Sequence, residues 1–182
     1  MARQPVPKSK SLIEEIKRKL FLNENKLSDF DYARFKKMAE MLKRSEPDYA
    51  YSALGILECV KRNEEECIAN HEKSLLCTRH PSVVLQNYAN SMRFLGRYAD
   101  SARLALRSWK VDPANTTSLG LVIDSYFELG DEESFLFYAK KWEDLTGGEH
   151  ELMQEYREEL EEANSLSNDC MVISDDGFKE LQ

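Results

Sequence analysis

Residues 85–113 read LQNYANSMRFLGRYADSARLALRSWKVDP, and this stretch decides the fold. Leu85, Tyr88 and Ala89 lie on one helical face, and Ser101 and Ala105 on another. Gly96-Arg97-Tyr98 separates the two runs, and Asp112-Pro113 closes the second. A glycine supplies the backbone freedom a tight turn needs, and proline ends what precedes it. The stretch therefore predicts two helices of about fourteen residues joined by a turn, a helical hairpin.

Working outward, the hairpin recurs. Gly130-Asp131-Glu132 stands 34 residues beyond Gly96-Arg97-Tyr98, and Arg62-Asn63 stands 34 residues before it. Asn63 with Glu66 is expected to form a capping pair. Three gapless windows follow, 48–81, 82–115 and 116–149, which make a repeat region over 48–147. The same offsets carry comparable residues. The fourth reads Tyr51, Leu85, Leu119; the seventh Leu54, Tyr88, Val122; the eighth Gly55, Ala89, Ile123. The twentieth reads Cys67, Ser101, Phe135; the twenty-fourth His71, Ala105, Ala139; the thirtieth Cys77, Val111, Leu145. All are expected in the core.

This pattern resembles the tetratricopeptide repeat family, which shows a bulky residue at position four, Leu-Gly at seven and eight and an aromatic at eleven. The middle window matches best. The first keeps Leu54-Gly55 but has Glu58 at the aromatic position. The third keeps Tyr126 and Gly130 but puts Ile123, Phe135 and Trp142 where small residues are usual, which suits a terminal repeat. The layout is also similar to small tetratricopeptide-type adaptors and chaperones, such as the export chaperones of type III secretion. The resemblance implies an all-α solenoid of helical hairpins.

The flanks complete that solenoid. Residues 1–10 (MARQPVPKSK) are expected to be a flexible arm. An N-terminal helical pair is predicted over 11–47. Its first helix is opened by Ser11 with Glu14 and striped by Ile13, Ile16 and Leu20. Its second is opened by Ser28 with Asp31, striped by Phe35, Met38, Ala39 and Leu42, and stopped by Ser45-Glu46-Pro47. After Gly147-Gly148, a capping helix within 148–167 carries Leu152, Tyr156, Leu160 and Ala163 on one face and mostly acids elsewhere. Residues 168–182 (NDCMVISDDGFKELQ) are expected to be a flexible acidic tail.

Composition narrows the function. With only 7 Gly and 5 Pro the chain is poor in the turns an all-β fold needs. The formal net charge of −8 argues against nucleic acid as a partner, because phosphate attraction needs a basic surface. The charge is polarised. Residues 1–26 hold seven Lys/Arg against three acids, net +4, whereas Glu143 to the end holds thirteen acids against Arg157 and Lys179, net −11. No apolar run is long enough to insert in a membrane, and residues 1–25 lack a secretory-signal pattern, so a cytoplasmic location is expected. Cys59, Cys67, Cys77 and Cys170 have no disulfide-framework spacing.

No catalytic constellation is visible. His71, His80 and His150 have no nucleophile partner in a recognisable motif, so no enzyme activity is expected. Cys67, His71, Cys77 and His80 have spacings that zinc accepts. Most of them sit at core offsets, where free cysteine behaves as a small hydrophobe. Neither metal nor cofactor is expected.

The resemblance implies instead a groove on the first helix of each hairpin, where a polypeptide binds. Its residues would be Ser52, Ala53, Ile56 and Val60 in the first repeat. The second would add Gln86, Asn87, Asn90, Arg93 and Phe94, and the third Thr117, Leu121, Asp124 and Glu128. The amides would bond a peptide backbone, and Ile56, Val60, Phe94 and Leu121 would hold apolar anchors. One branch of the family clamps chaperone C-termini with lysines. Here the corresponding offsets hold residues such as Ser52 and Val83, which would leave a buried carboxylate unpaired, so that clamp is excluded. The expected partner is another protein or peptide with apolar anchors, with a homodimer through the N-terminal helices as a further option. The groove filled by the chain's own end segments is the competing expectation. A scaffold subunit that uses its outer faces and termini is the alternative function.

Overall fold

A computed structural model describes residues 8–162, with side-chain surroundings given from residue 11 onward. The protein is all-α. The helices are α1 (Lys8–Leu22), α2 (Asp29–Leu42), α3 (Pro47–Val60), α4 (Glu64–Cys77), α5 (Pro81–Phe94), α6 (Tyr98–Val111), α7 (Thr116–Leu129) and α8 (Glu132–Thr146). A further helix, α9, covers 152–162. No strand occurs among the described residues. Consecutive helices pack on one another, α3 also packs on α5, and α5 packs on α7. This is the arrangement of a helical repeat array.

Local chemistry explains the punctuation. Pro47 and Pro81 each occupy the first turn of a helix, where a missing N–H costs nothing. Asn115 and Asp131 accept from the backbone N–H of Ser118 and Ser134 at the starts of α7 and α8. Helices α4, α6 and α8 begin at 64, 98 and 132. Just before each stands a left-handed residue, Arg62 (φ 60), Gly96 (φ 77) and Gly130 (φ 65). The turn thus repeats even where its glycine does not.

Several local expectations need correction. Ser11 does not open α1, which already begins at Lys8, so residues 8–10 are helical rather than part of an arm. Asn63 does not cap α4 through its side chain; its Nδ2 instead donates to Glu58 Oε2 at 3.2 Å. The thirtieth offset is not core: Cys77, Val111 and Leu145 are all exposed, because they sit at or beside helix ends. Ser28 does cap α2, accepting from the Asp31 N–H at 3.1 Å. Residues 1–7, Ala163 and the predicted tail lie outside the described residues.

Three apolar clusters run along the array. The first joins Leu12, Ile13 and Ile16 of α1 and Phe35 and Ala39 of α2 to Ala53, Leu54, Ile56 and Leu57 of α3. The second fills the middle, with Leu85, Tyr88, Ala89, Met92, Leu104 and Ala105. The third packs Leu119, Ile123 and Phe135 against Trp142, Leu152, Met153 and Tyr156. Two departures from the repeat pattern gain a physical reason here. Glu58 is buried and accepts hydrogen bonds from Tyr32 Oη at 2.9 Å and Lys36 Nζ at 2.7 Å, which tie α2 to α3. Ile123, Phe135 and Trp142 form the seat on which α9 rests.

Candidate functional site

The first-helix face of the array is closed at one end by the protein itself. Ala53 and Ile56 belong to the cluster that α1 and α2 cover, at 0% and 8% exposure. Ser52 is also fully buried and accepts from Asn87 Nδ2 at 3.2 Å. These α3 residues are therefore packing contacts, not open surface. Val60, beside them, lines only a narrow cleft with Lys17, Leu20 and Asn25.

Beyond that cover the face opens. A cavity of about 360 Å³ is lined by Gln86, Asn87 and Asn90 of α5, Thr117 and Leu121 of α7, and Lys17, Leu20, Phe21 and Asn25 from α1 and the turn after it. The structure thus brings together five of the residues named from sequence and adds a wall that sequence reasoning missed. The signal for that wall was present: Leu20 lies on the α1 stripe, and Phe21 follows it.

Each lining group has a definite state. Gln86 Oε1 accepts from Asn115 Nδ2 at 3.0 Å, which leaves its amide N–H groups as donors not used by Asn115. Asn87 is spent on Ser52, whereas Asn90 and Thr117 are exposed. Phe21 is 87% exposed, a large ring with no protein cover. Lys17 has its nearest carboxylate, Glu14, at 3.9 Å. Burial depresses the Lys17 ammonium below the usual lysine range, against the pull of Glu14. The wall is therefore cationic, partly desolvated and only weakly neutralised.

Phe94 lines the narrow cleft with Ile56, Val60, Asn87 and Asn90, whereas Arg93, Asp124 and Glu128 line neither space. Arg93 Nη2 reaches Asp124 Oδ2 at 3.4 Å, and His150 Nε2 lies 3.9 Å from Asp124 Oδ1. Burial raises the Asp124 carboxyl despite Arg93 and His150, and burial lowers the His150 imidazole despite Asp124. Arg93 Nε is buried without a hydrogen-bond partner. Phe94 carries the Arg62 guanidinium 4.5 Å above its ring, and Glu128 is exposed.

Elsewhere, Cys67 and His71 are buried while Cys77 and His80 are exposed. Among the described residues no cluster of three or more His, Cys, Asp or Glu could hold a metal ion. No described helix is long and apolar enough to cross a membrane. No protein-family model matches the chain, and no curated protein sequence does either.

Proposed function

We propose that the protein is a protein-interaction module of tetratricopeptide type, an adaptor or partner-specific chaperone, that holds a segment of another polypeptide against α5 and α7. One observation carries this reading: the cavity combines amides (Gln86, Asn90), apolar walls (Leu20, Phe21, Leu121) and a cation (Lys17) in one cleft. Amides satisfy an extended backbone, apolar walls take side chains, and the cation selects an acidic flank. At about 360 Å³ the cleft admits a few side chains and not a folded domain. The α1 cover shortens the groove to its second and third repeats. The ligand is therefore a short segment with one or two apolar anchors.

A photo-crosslinking residue at Asn90, used in the native host, tests this. A discrete polypeptide captured at Asn90, absent when the same probe sits at Glu133 on α8, supports the reading. Capture at Glu133 alone overturns it. The second reading, a scaffold subunit of a larger assembly, is favoured by a separate observation: α2 leaves Phe30 76% and Met41 73% exposed. That face would then be the contact, and crosslinks would concentrate there.

A further inference from the structure

In the cleft, Phe21 is 87% exposed and Lys17 partly so, and part of the lining therefore stands uncovered when no partner is bound. The sequence continues for twenty residues, 163–182, beyond the described fold. Its departure point is close. Tyr156 and Glu159 of α9 line a pocket with Phe127 and Gly130, so the later turns of α9 lie beside the α7–α8 turn. From Gly130 back to Leu121 is nine residues of α7, about 14 Å at the rise of an α-helix. The eight residues 163–170 can span at most about 27 Å, more than the separation Met171 would have to cover to reach Leu121.

The chemistry matches in order along that path. Glu128 and Asp124 lie on α7 between Gly130 and Leu121, and residues 163–168 (ANSLSN) are uncharged. The cleft beyond them has an apolar wall, and Met171-Val172-Ile173 is apolar. Asp169 precedes that triplet and Asp175-Asp176 follow it, and the cleft carries the cation Lys17. A carboxylate there would complete the ion pairing that Glu14 supplies only at 3.9 Å.

We propose that residues 169–176 of this same chain dock in the cleft between α1, α5 and α7, as an internal ligand that a partner must displace. This rests on the cleft reading above. Occupancy by the tail divides the partner's intrinsic Kd by the fraction of open cleft, which weakens apparent binding, so the tail sets a threshold.

The test uses the full chain with a nitroxide label on Gly177→Cys in a Cys77→Ser, Cys170→Ser background; Cys59 and Cys67 are buried and stay unlabelled. Amide signals of Phe21, Asn90 and Thr117 should lose most of their intensity to the label. Met171→Ser with Ile173→Ser should restore them without moving signals of α8. Intensity loss confined to α2, near Phe30 and Met41, or absent altogether, overturns the proposal. So does loss at the cleft that appears only when labelled and isotope-enriched chains are mixed, since the occupant is then a second copy. The readout contains no partner. A docked tail with no crosslink at Asn90 sinks the proposed function alone; a crosslink with no docked tail sinks this inference alone.

Discussion

The hairpins α3–α4 and α7–α8 stand at the same offsets yet fill their interiors in opposite ways. In the first, the eighth position is Gly55, and the His71 ring of α4 lies 2.7 Å from where a Cβ would be. His71 is fully buried, stacks on Tyr88 at 4.8 Å and meets Ser91 Oγ at 2.9 Å, so its bulk turns inward toward α5. In the last, the eighth position is Ile123 and the twenty-fourth is Ala139, both buried. The bulk there comes from Phe135, which faces Tyr156 of α9 at 5.3 Å. The middle hairpin divides the space evenly between Ala89 and Ala105. What repeats is a filled volume between paired helices, not a residue identity. The bulk sits on the second helix in both α3–α4 and α7–α8, but at the twenty-fourth offset (His71) it meets α5, and at the twentieth (Phe135) it meets α9.

The largest test of that contrast is Phe135→Ala. Removing a ring buried to 1% costs about 3–5 kcal/mol by cavity formation. Urea unfolding should show the loss. Hydrogen exchange should quicken over 152–162 before it does in α3 or α4, because only the last hairpin seats α9. Uniform loosening would mean the seat is not specific.

Next in size is a pH dependence peculiar to the first hairpin. Burial lowers the His71 imidazole to about 3 from its ordinary 6.5. The folded state therefore refuses a proton that the unfolded chain accepts. His71's contribution is intact above pH 6.5 and is lost as pH falls toward 3, at up to about 1.4 kcal/mol per unit. Between pH 6.5 and 5 that is about 2 kcal/mol. His71→Gln should flatten this slope whatever its effect on absolute stability; an unchanged slope would show that the ring is hydrated.

Gly55→Ala follows. Its methyl would meet a ring wedged between Tyr88 and Ser91, so overpacking costs about 1–3 kcal/mol. His71→Ala in the same chain should relieve much of that cost, a coupling read by a double-mutant cycle. Additive effects would break the idea of a shared volume.

The hairpins were legible in the sequence because their punctuation is local: Pro47, Pro81, Gly96 and Gly130 act within a turn. The all-α class followed from them. The extent of the open groove was not legible. The α1 stripe of Ile13, Ile16 and Leu20 shows that α1 packs, but not that it lands on Ala53 and Ile56, which is a tertiary choice. Glu58 misleads for a related reason. A buried carboxylate reads as a lapse in the pattern until Tyr32 and Lys36, from another helix, are seen to satisfy it. Offsets at helix ends, such as Cys77, inherit no burial from the repeat.

The smallest expected effect concerns the turn that repeats without its glycine. Arg62 takes the left-handed conformation that Gly96 and Gly130 take, and a residue with a Cβ is strained there by about 1 kcal/mol. Arg62 has compensation: its guanidinium covers Phe94, and Nη1 donates to the Phe94 carbonyl at 2.7 Å. Those contacts, exposed as they are, contribute about 1 kcal/mol together. Arg62→Gly removes strain and contacts at once and should leave stability nearly unchanged. Arg62→Ala keeps the strain, loses the contacts and should cost about 1 kcal/mol. The gap between the two variants in thermal unfolding is the cost of the missing glycine. If both variants unfold alike, the backbone relaxes out of the left-handed region, and the first turn is not equivalent to the other two.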